Sequence, residues 1–228
     1  MKEFLIPVGK VSNINPSSAI RIFLVRHGET EWNRIRRFQG RTDIPLNGEG
    51  RNQARALAMA LKDEPLAAIY SSPLIRALET ARLVKIFHPS TPLFQEEGLI
   101  EMDLGEFDGM EARHWFEQYS DFRTAWLKNP GSLRMPGGES LEEVQSRAVD
   151  TLNRICRIYP PESTLLISSH NFVNLALLCY ALDMSLDRFR ELKQETAALN
   201  VLYKRGPRLW VETVNERSHL QRYKDELE

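Results

Sequence analysis

The chain has 228 residues, 42% of them hydrophobic, which is enough to bury the core of one large α/β domain. Its formal net charge of -1 argues against a nucleic-acid-binding protein, which would usually be basic overall. We find no apolar run of membrane-spanning length and no signal-peptide pattern, and both cysteines, Cys156 and Cys179, lie in apolar, helix-like stretches. We therefore expect a cytoplasmic protein with no membrane partner and no disulfide framework.

The first predicted element is a buried strand that ends in charged residues. It follows residues 1–20, whose Asn, Ser and Pro content fits either an extended N-terminal extension or a disordered tail. The apolar run at residues 22 to 25 is long enough for a strand, and it stops at Arg26, His27 and Gly28. A fixed cation, an imidazole that can act as nucleophile or base, and a glycine that allows close approach to the backbone together suit a phosphate.

An arginine-rich loop, a helix, a strand and a second helix are predicted next. Residues 21 to 51 carry seven Arg against four Asp or Glu, which predicts an anion-facing surface, although a solvated arginine face would give the same count. Asn47 caps the first helix, and the next helix is predicted to begin at Ser71-Ser72-Pro73, after a short strand. Arg76 would then lie near a positive helix end, unless it forms only a surface ion pair with Glu79.

The middle of the chain predicts a segment that folds over the sheet. A short strand at residues 91 to 94 precedes an acidic, glycine-punctuated stretch that contains Glu101. Aromatic residues at helical intervals predict one or two short helices within residues 111 to 129, and such a stripe is usually part of a core. Ser140 and Glu143 form a capping-box pattern for the next helix. Residues 101–139 are therefore interpreted as an insertion, or lid, over the main sheet.

A second buried strand, at residues 164 to 167, also ends in polar residues, Ser168-Ser169-His170, before an apolar helix. Because ligands of open α/β sheets bind beyond the carboxyl ends of the strands, His27 and His170 are expected to meet there. A hairpin over residues 197 to 214 completes one domain, residues 21–214, and residues 215–228 are expected to be a polar C-terminal tail.

Two histidines and two arginines at strand-to-helix junctions predict a cationic pocket for a phosphoryl group. We predict no metal site, because there is no HExxH, no closely spaced cysteine pair and no carboxylate cluster beside either histidine. A Ser-His-Asp hydrolase is disfavoured because GxSxG is absent. A single histidine at a strand end is often structural, and His88, His114 and His219 have no context that suggests more.

Beyond these single residues, the chain contains, in this order, RHGETEWN, RFQGRTDIPLNGEG, SSPLIRALET, EMDLGEFDG, GGES and SSH. This ordered set closely resembles the histidine phosphatase superfamily, the phosphoglycerate mutase-like proteins. The resemblance spans roughly residues 21 to 204 and implies a three-layer α/β/α fold, in which helices flank a mostly parallel sheet.

The resemblance also implies a role for each matched residue. His27 would attack phosphorus to form a phosphohistidine, and Glu101 would serve as acid and then as base, its pKa raised by anionic surroundings. The phosphoryl oxygens would be held by Arg26, Arg76, His170 and the neutral donor Asn33. The remaining substrate-binding positions implied are Gly28, Arg37 and Gln39. No cofactor is implied, and the partner would be a small phosphorylated metabolite.

The family contains both phosphatases and mutases. In the family, a mutase goes with a longer insertion and an ERHYG segment that begins at the acid, whereas here Glu101 is followed by MDLGEFDG, the phosphatase-like form. The interpretation is therefore a metal-independent phosphatase, with a cofactor-dependent phosphoglycerate mutase or a weakly active, metabolite-binding regulatory protein as alternatives. Two departures keep the last alternative open: Asn171 stands where the family commonly has glycine, and ETAALNVL follows the family pattern only loosely. A homodimer is compatible with the sequence.

Overall fold

The strands form one six-stranded sheet whose four consecutive strands at one side are parallel. The computed structural model describes residues 18–225. The sheet has the order β3-β2-β4-β1-β5-β6, with β5 antiparallel to both of its neighbours. The strands are β1 (Ile20–Arg26), β2 (Leu66–Ser71), β3 (Leu93–Gln95), β4 (Thr164–Ser169), β5 (Leu199–Arg205) and β6 (Arg208–Glu216).

Helices cover both faces of this sheet, which gives the three-layer α/β/α arrangement expected from the sequence. The helices are α1 (Glu31–Arg34), α2 (Gly48–Ala60), α3 (Ile75–Lys85), α4 (Ala112–Gln118), α5 (Ser120–Lys128), α6 (Leu141–Cys156), α7 (Asn171–Ala181) and α8 (Ser218–Asp225). Between residues 18 and 225, none of them has both the length and the apolar composition that a membrane crossing requires.

Because side chains alternate along β1, this strand contributes to a separate hydrophobic core on each face of the sheet. Ile22 and Leu24 point into a core shared with α6 and α7, whereas Phe23 and Val25 point into a second core with α2 and α3. All four residues of this apolar run are at most 1% exposed, so the run is apolar on both sides of the strand. This is the pattern of a central parallel strand covered on both faces.

Residues 101–139 lie over the first of these cores. They contain a single turn of 3₁₀ helix at Gly105–Phe107, followed by α4 and α5. The aromatic stripe is divided: Trp115 and Trp126 are buried in the core, whereas Phe116 is 54% exposed. Ser140 caps α6 through the predicted capping box, and the helix ends at Cys156.

The structure corrects two local predictions, and a third concerns residues that lie mostly outside the described part of the chain. Helix α3 begins at Ile75 and has no side-chain hydroxyl cap. Instead, the carboxylate of Asp43, which lies in the loop before α2, accepts the Ile75 N–H at 2.7 Å. The expected tail, residues 215–228, contains α8, which packs against α2 and buries His219. Of the expected extension, residues 1–20, only the last three residues lie within the described part, and Ile20 already belongs to β1.

Candidate active site

The carboxyl ends of three parallel strands, β2, β4 and β1, bring the predicted histidines together. Residue 26 lies in register with Ser169, so the His27 N–H donates to the Ser169 carbonyl oxygen at 3.0 Å. His27 and His170 are the residues that directly follow β1 and β4, and their ring centroids are 5.2 Å apart. The prediction that two strand ends distant in sequence meet at one edge of the sheet therefore holds in the structure.

The ring of His27 is fixed in one tautomer. Its Nδ1 lies 2.7 Å from the carbonyl oxygen of Gly28, and because a carbonyl oxygen can only accept, Nδ1 carries the hydrogen. The lone pair is therefore on Nε2. Burial and the charges of Arg76 and Arg26 hold the pKa of His27 well below its ordinary value, against the opposing effect of the Gly28 carbonyl. The imidazole is thus neutral near pH 7, as a nucleophile requires.

The main chain at His27 is also held by a strained residue. The N–H of Ala197 donates to the His27 carbonyl oxygen at 3.0 Å, and Ala197 has a φ of +55° although it is not a glycine. An alanine in this conformation costs about 1–2 kcal/mol, and such strain is typical of functional sites. Ala197 belongs to the ETAALNVL stretch that departs from the family pattern.

His170 is oriented by a serine from β2's end. The His170 Nε2 lies 2.7 Å from the Ser72 hydroxyl, and that hydroxyl also accepts the Leu74 N–H at 3.2 Å. When the Ser72 O–H donates to Nε2, the hydrogen of the neutral ring lies on Nδ1. This Nδ1 is buried and has no partner among residues 18–225, so its hydrogen is then available to an anion. Burial, with Arg76 as the next cause, holds the pKa of His170 well below its ordinary value.

Two guanidinium groups supply fixed positive charge beside the histidines. Arg76 is fully buried and donates to the carbonyl oxygens of Gly40 at 2.7 Å and Thr42 at 2.9 Å. Arg26 is half-buried and donates to the carbonyl oxygen of Gln194. Burial lowers the pKa of both arginines to about 10, so both remain charged at neutral pH. Each retains a buried Nε–H for which residues 18–225 supply no acceptor.

Glu101 completes the set of charged groups. Glu101 is 3% exposed. Its carboxylate accepts hydrogen bonds from the N–H of Met102 at 2.9 Å and from the N–H of Phe172 at 3.2 and 3.3 Å. The pKa of Glu101 is raised, as predicted, but the cause is different. Burial raises it, whereas the nearest charges, Arg76 and Arg26, are cationic and lower it. The anionic surroundings expected from the sequence would come from a bound phosphoryl group.

The four residues predicted to bind substrate have different environments. Asn33 uses its side-chain oxygen for a capping box with Thr30, and its amide group remains available as a donor. The Gln39 side-chain oxygen accepts the Thr30 O–H at 2.8 Å, and its buried Nε2 has no partner in the described part of the chain. Arg37 instead forms an ion pair with Glu111 at 3.0 Å. Gly28 allows a close approach, but the group that approaches it is the backbone of Gly50 in α2.

The arginine-rich loop and residues 101–139 are joined by main-chain hydrogen bonds. The Phe38 N–H donates to the Met110 carbonyl oxygen at 2.8 Å, and the Gly109 N–H donates to the Phe38 carbonyl oxygen at 3.0 Å. The Phe38 and Trp115 rings meet edge to face, with centroids 5.5 Å apart. Asp108 accepts the Gly40 N–H at 2.8 Å. The loop and residues 101–139 therefore form one wall.

Sequence reasoning missed several residues around the site. Ser72 was interpreted as a helix cap, although it follows β2 at the same sheet edge as the two histidines, which was the available signal. The roles of Glu139, Arg147 and Gln194 depend on contacts that have no sequence pattern. Within residues 18–225, no group of three or more His, Cys, Asp or Glu side chains is arranged to hold a metal ion.

A separate cavity of about 400 Å³ lies at the other end of β1, away from the histidines. It is lined by Ile20, Asn153, Cys156, Arg157, Lys204, Gly206 and Pro207.

The family is established by comparison with known proteins. The model of the histidine phosphatase superfamily (branch 1) matches residues 22–217. Phosphoserine phosphatase 1 of Hydrogenobacter thermophilus is 32% identical over 88% of this chain and 94% of its own length. The probable phosphoglycerate mutase GpmB of Proteus mirabilis is also 32% identical, over 88% of this chain and 95% of its own length. The solved structure of Bacillus stearothermophilus YhfR superposes with a TM-score of 0.82 at 31% identity, covering 89% of this chain and 100% of that chain.

The protein therefore belongs to the histidine phosphatase superfamily, branch 1, and has its phosphoglycerate mutase-like fold. Its relatives include proteins named as phosphatases of small phosphomonoesters and as phosphoglycerate mutases.

Proposed function

We propose that the protein is a phosphatase that hydrolyses small phosphomonoesters through a phosphohistidine on His27, without a metal ion or other cofactor. The observation that carries this proposal is the unprotonated Nε2 of His27, which is fixed by the Nδ1–Gly28 hydrogen bond and lies beside a second histidine and two guanidinium groups. A neutral nitrogen with a free lone pair in a cationic pocket suits in-line attack on a phosphoryl group.

In the first step, His27 Nε2 forms a bond to phosphorus as the bond between phosphorus and the alcohol oxygen breaks. Arg26, Arg76 and the His170 Nδ1–H would donate to the phosphoryl oxygens, where the negative charge of the transition state is spread. The departing alkoxide takes the proton of Glu101, whose raised pKa favours the protonated carboxyl. The products of this step are the phosphohistidine, the alcohol and ionised Glu101.

In the second step, water attacks the phosphohistidine and the bond between phosphorus and Nε2 breaks. Ionised Glu101 accepts a proton from the attacking water, which restores the protonated carboxyl and the neutral imidazole and releases inorganic phosphate. The same carboxyl group therefore acts as acid and then as base. Asn33 and Gln39, whose side-chain amide groups donate to none of the described residues, would provide neutral donors to the substrate.

A phosphatase is favoured over a mutase because the segment that follows Glu101 has the phosphatase-like form MDLGEFDG. Among the relatives, the phosphoserine phosphatase of H. thermophilus makes a small phosphorylated hydroxy acid a reasonable first substrate. The wall formed by Phe38 and Trp115 would contact the alcohol part of such a substrate.

The proposal is tested with a panel of small phosphomonoesters, assayed for released phosphate with a chelator present. The wild-type protein should release phosphate, and His27→Ala should abolish release. Rapid acid-free denaturation during turnover of ³²P-labelled substrate should trap an acid-labile label that is absent from His27→Ala. Substrate binding without release, no trapped label, or interconversion of phosphoglycerates in place of hydrolysis would each contradict the proposal.

A further inference from the structure

The main chain around Glu101 is held by an arginine of helix α6. Arg147 Nε and Nη2 bind the two carboxylate oxygens of Glu139 at 2.9 and 3.0 Å. The same guanidinium donates to the carbonyl oxygen of Gly98 at 3.0 Å and to that of Glu101 at 3.2 Å. One side chain therefore fixes the segment that carries the acid at two points, one of them Glu101 itself.

Glu139 binds the same segment at Asp103. The Asp103 N–H donates to Glu139 Oε2 at 2.9 Å, and the Glu139 N–H donates to the Asp103 carbonyl oxygen at 2.9 Å. Arg41 adds ion pairs to Glu139 at 3.2 Å and to Asp103 at 3.4 Å. Burial alone would raise the pKa of Glu139, but the hydrogen bonds from Arg147 and the Asp103 N–H lower it below its ordinary value. Glu139 is therefore a fixed anion.

These contacts converge on residues 98–103, the Glu101 segment. Within the described part of the chain, the Glu101 carboxylate itself accepts hydrogen bonds only from main-chain N–H groups, those of Met102 and Phe172. Because the Met102 N–H belongs to the same segment, the position of the segment decides how far the carboxyl group reaches towards a substrate. Side chains that fix the main chain at residues 98, 101 and 103 therefore also fix the acid.

We propose that Glu139 and Arg147 form a clamp that positions the Glu101 carboxyl group for proton transfer to the leaving oxygen. The inference rests on the proposed function, because it requires Glu101 to be the acid. Both clamp residues act through the main chain of the Glu101 segment and are positioning residues. A displacement of a catalytic group by about 1 Å can lower the rate roughly 10²-fold, so removal of the clamp should slow the proton transfer from Glu101.

The test compares two substrates that differ in their need for an acid. An alkyl phosphate such as glycerol phosphate needs a proton on its leaving oxygen, whereas p-nitrophenyl phosphate releases a stable phenolate. Because Glu101 is also the base of the second step, which both substrates share, the comparison uses kcat/KM, which reports the first step alone. Glu139→Gln and Arg147→Met should lower kcat/KM for the alkyl phosphate by about tenfold to hundredfold and leave kcat/KM for p-nitrophenyl phosphate within about threefold. The inhibition constant of inorganic phosphate should change little, because the phosphoryl-binding groups are untouched.

A matched control is available on the same helix. Arg154 forms a comparable two-point ion pair with Glu96, at 3.0 and 2.6 Å, but is exposed at the surface. Arg154→Met should leave both kcat/KM values unchanged. If Arg147→Met does not fold, as judged by its thermal unfolding transition, Arg147→Lys takes its place. The lysine keeps the charge but cannot bind both oxygens of Glu139 and two carbonyl groups at once, so the same selective loss is expected.

Glu101→Gln calibrates the experiment, because removal of the acid itself should give the largest selective loss of kcat/KM for the alkyl phosphate. If Glu101→Gln shows this selectivity but the clamp variants lose both substrates equally, or neither, the clamp proposal is wrong. If Glu101→Gln lacks selectivity, or the wild-type protein releases no phosphate, the proposed function fails and the clamp fails with it.

Discussion

At the scale of single residues, burial gives His27 and Glu101 the protonation states that the proposed chemistry needs. An apolar environment disfavours the charged form of any group, so the same burial lowers the pKa of a histidine and raises that of a carboxyl group. His27 is 2% exposed and Glu101 is 3% exposed, and their pKa values move in these opposite directions. The cations beside them strengthen the effect at His27 and reduce it at Glu101.

This pair of shifts predicts a bell-shaped pH profile of kcat/KM for alkyl phosphates. Activity should rise as pH increases through the pKa of His27, which lies well below 6.5, because the neutral ring is the nucleophile. Activity should fall as pH increases further through the pKa of Glu101, which lies above 4.5, because the acid is lost. Steady-state kinetics from about pH 4 to about pH 9 check this. Activity that keeps rising across that range would contradict the role of Glu101 as acid.

Ser72 gives a second prediction at this scale. Its hydroxyl orients the ring of His170 through the 2.7 Å contact with Nε2. In Ser72→Ala this contact is lost, and neither the orientation nor the tautomer of the ring is fixed by it. The loss of one such hydrogen bond, about 1 kcal/mol, should lower kcat/KM by roughly five- to tenfold. Ser71→Ala is the control, because the Ser71 hydroxyl donates to the Ser72 carbonyl oxygen and does not contact His170. Equal losses in the two variants would mean that orientation of His170 is not the cause.

At the scale of elements, the site depends on how closely α2 approaches the residues after β1. A Cβ atom on Gly28 would overlap the Gly50 carbonyl group, and one on Gly50 would overlap the main chain of Glu29. The sequence places Gly28 beside the nucleophile and Gly50 in the first turn of a helix, but it does not show that the two glycines face each other. Their contact sets the position of the Gly28 carbonyl oxygen that orients His27.

Gly50→Ala should therefore destabilise the protein by about 1–3 kcal/mol and lower kcat, because the new methyl group pushes α2 away from Glu29. Gly48→Ala tests the same change two residues earlier in the same helix, where no atom lies within 4 Å of the added Cβ. It should be neutral or stabilising by up to about 1 kcal/mol. Denaturant unfolding and kcat for p-nitrophenyl phosphate measure both effects. Similar unfolding free energies for the two variants would refute the packing argument.

Elements set by local patterns could be predicted from the sequence, and elements set by distant partners could not. The apolar runs of β1 and β4, the Asn47 cap of α2 and the capping box of α6 depend on neighbours in sequence. The start of α3 depends on Asp43, 32 residues away in the chain, and α8 depends on packing against α2. The same limit applies to the site: strand ends revealed His27 and His170, whereas Arg147 binds Gly98 across 49 residues.

At the scale of the whole molecule, the site joins positive charges contributed by distant parts of the chain. Arg26 comes from β1 and Arg76 from α3, and both histidines between them are neutral. Taking two cations out of water costs free energy, and the lowered pKa values of both arginines mean that the carboxylates near them offset only part of this cost. Glu101 acts on both arginines, Glu195 on Arg26, and Asp43 and Asp108 on Arg76. The fold is therefore less stable without an anion in the site than it would be with one.

Inorganic phosphate should accordingly stabilise the protein against thermal unfolding, because the site exists only in the folded chain. At a phosphate concentration about 100 times Kd the gain is about 2.7 kcal/mol, or roughly 5–10 °C in Tm for a chain of this size. Differential scanning calorimetry with potassium chloride at equal ionic strength as control measures it. Arg76→Met should abolish the phosphate-dependent increment, whatever its own Tm, whereas Arg157→Met, which alters the separate cavity, should retain it. An increment that survives in Arg76→Met but disappears in Arg157→Met would place the bound anion in that cavity and not beside His27.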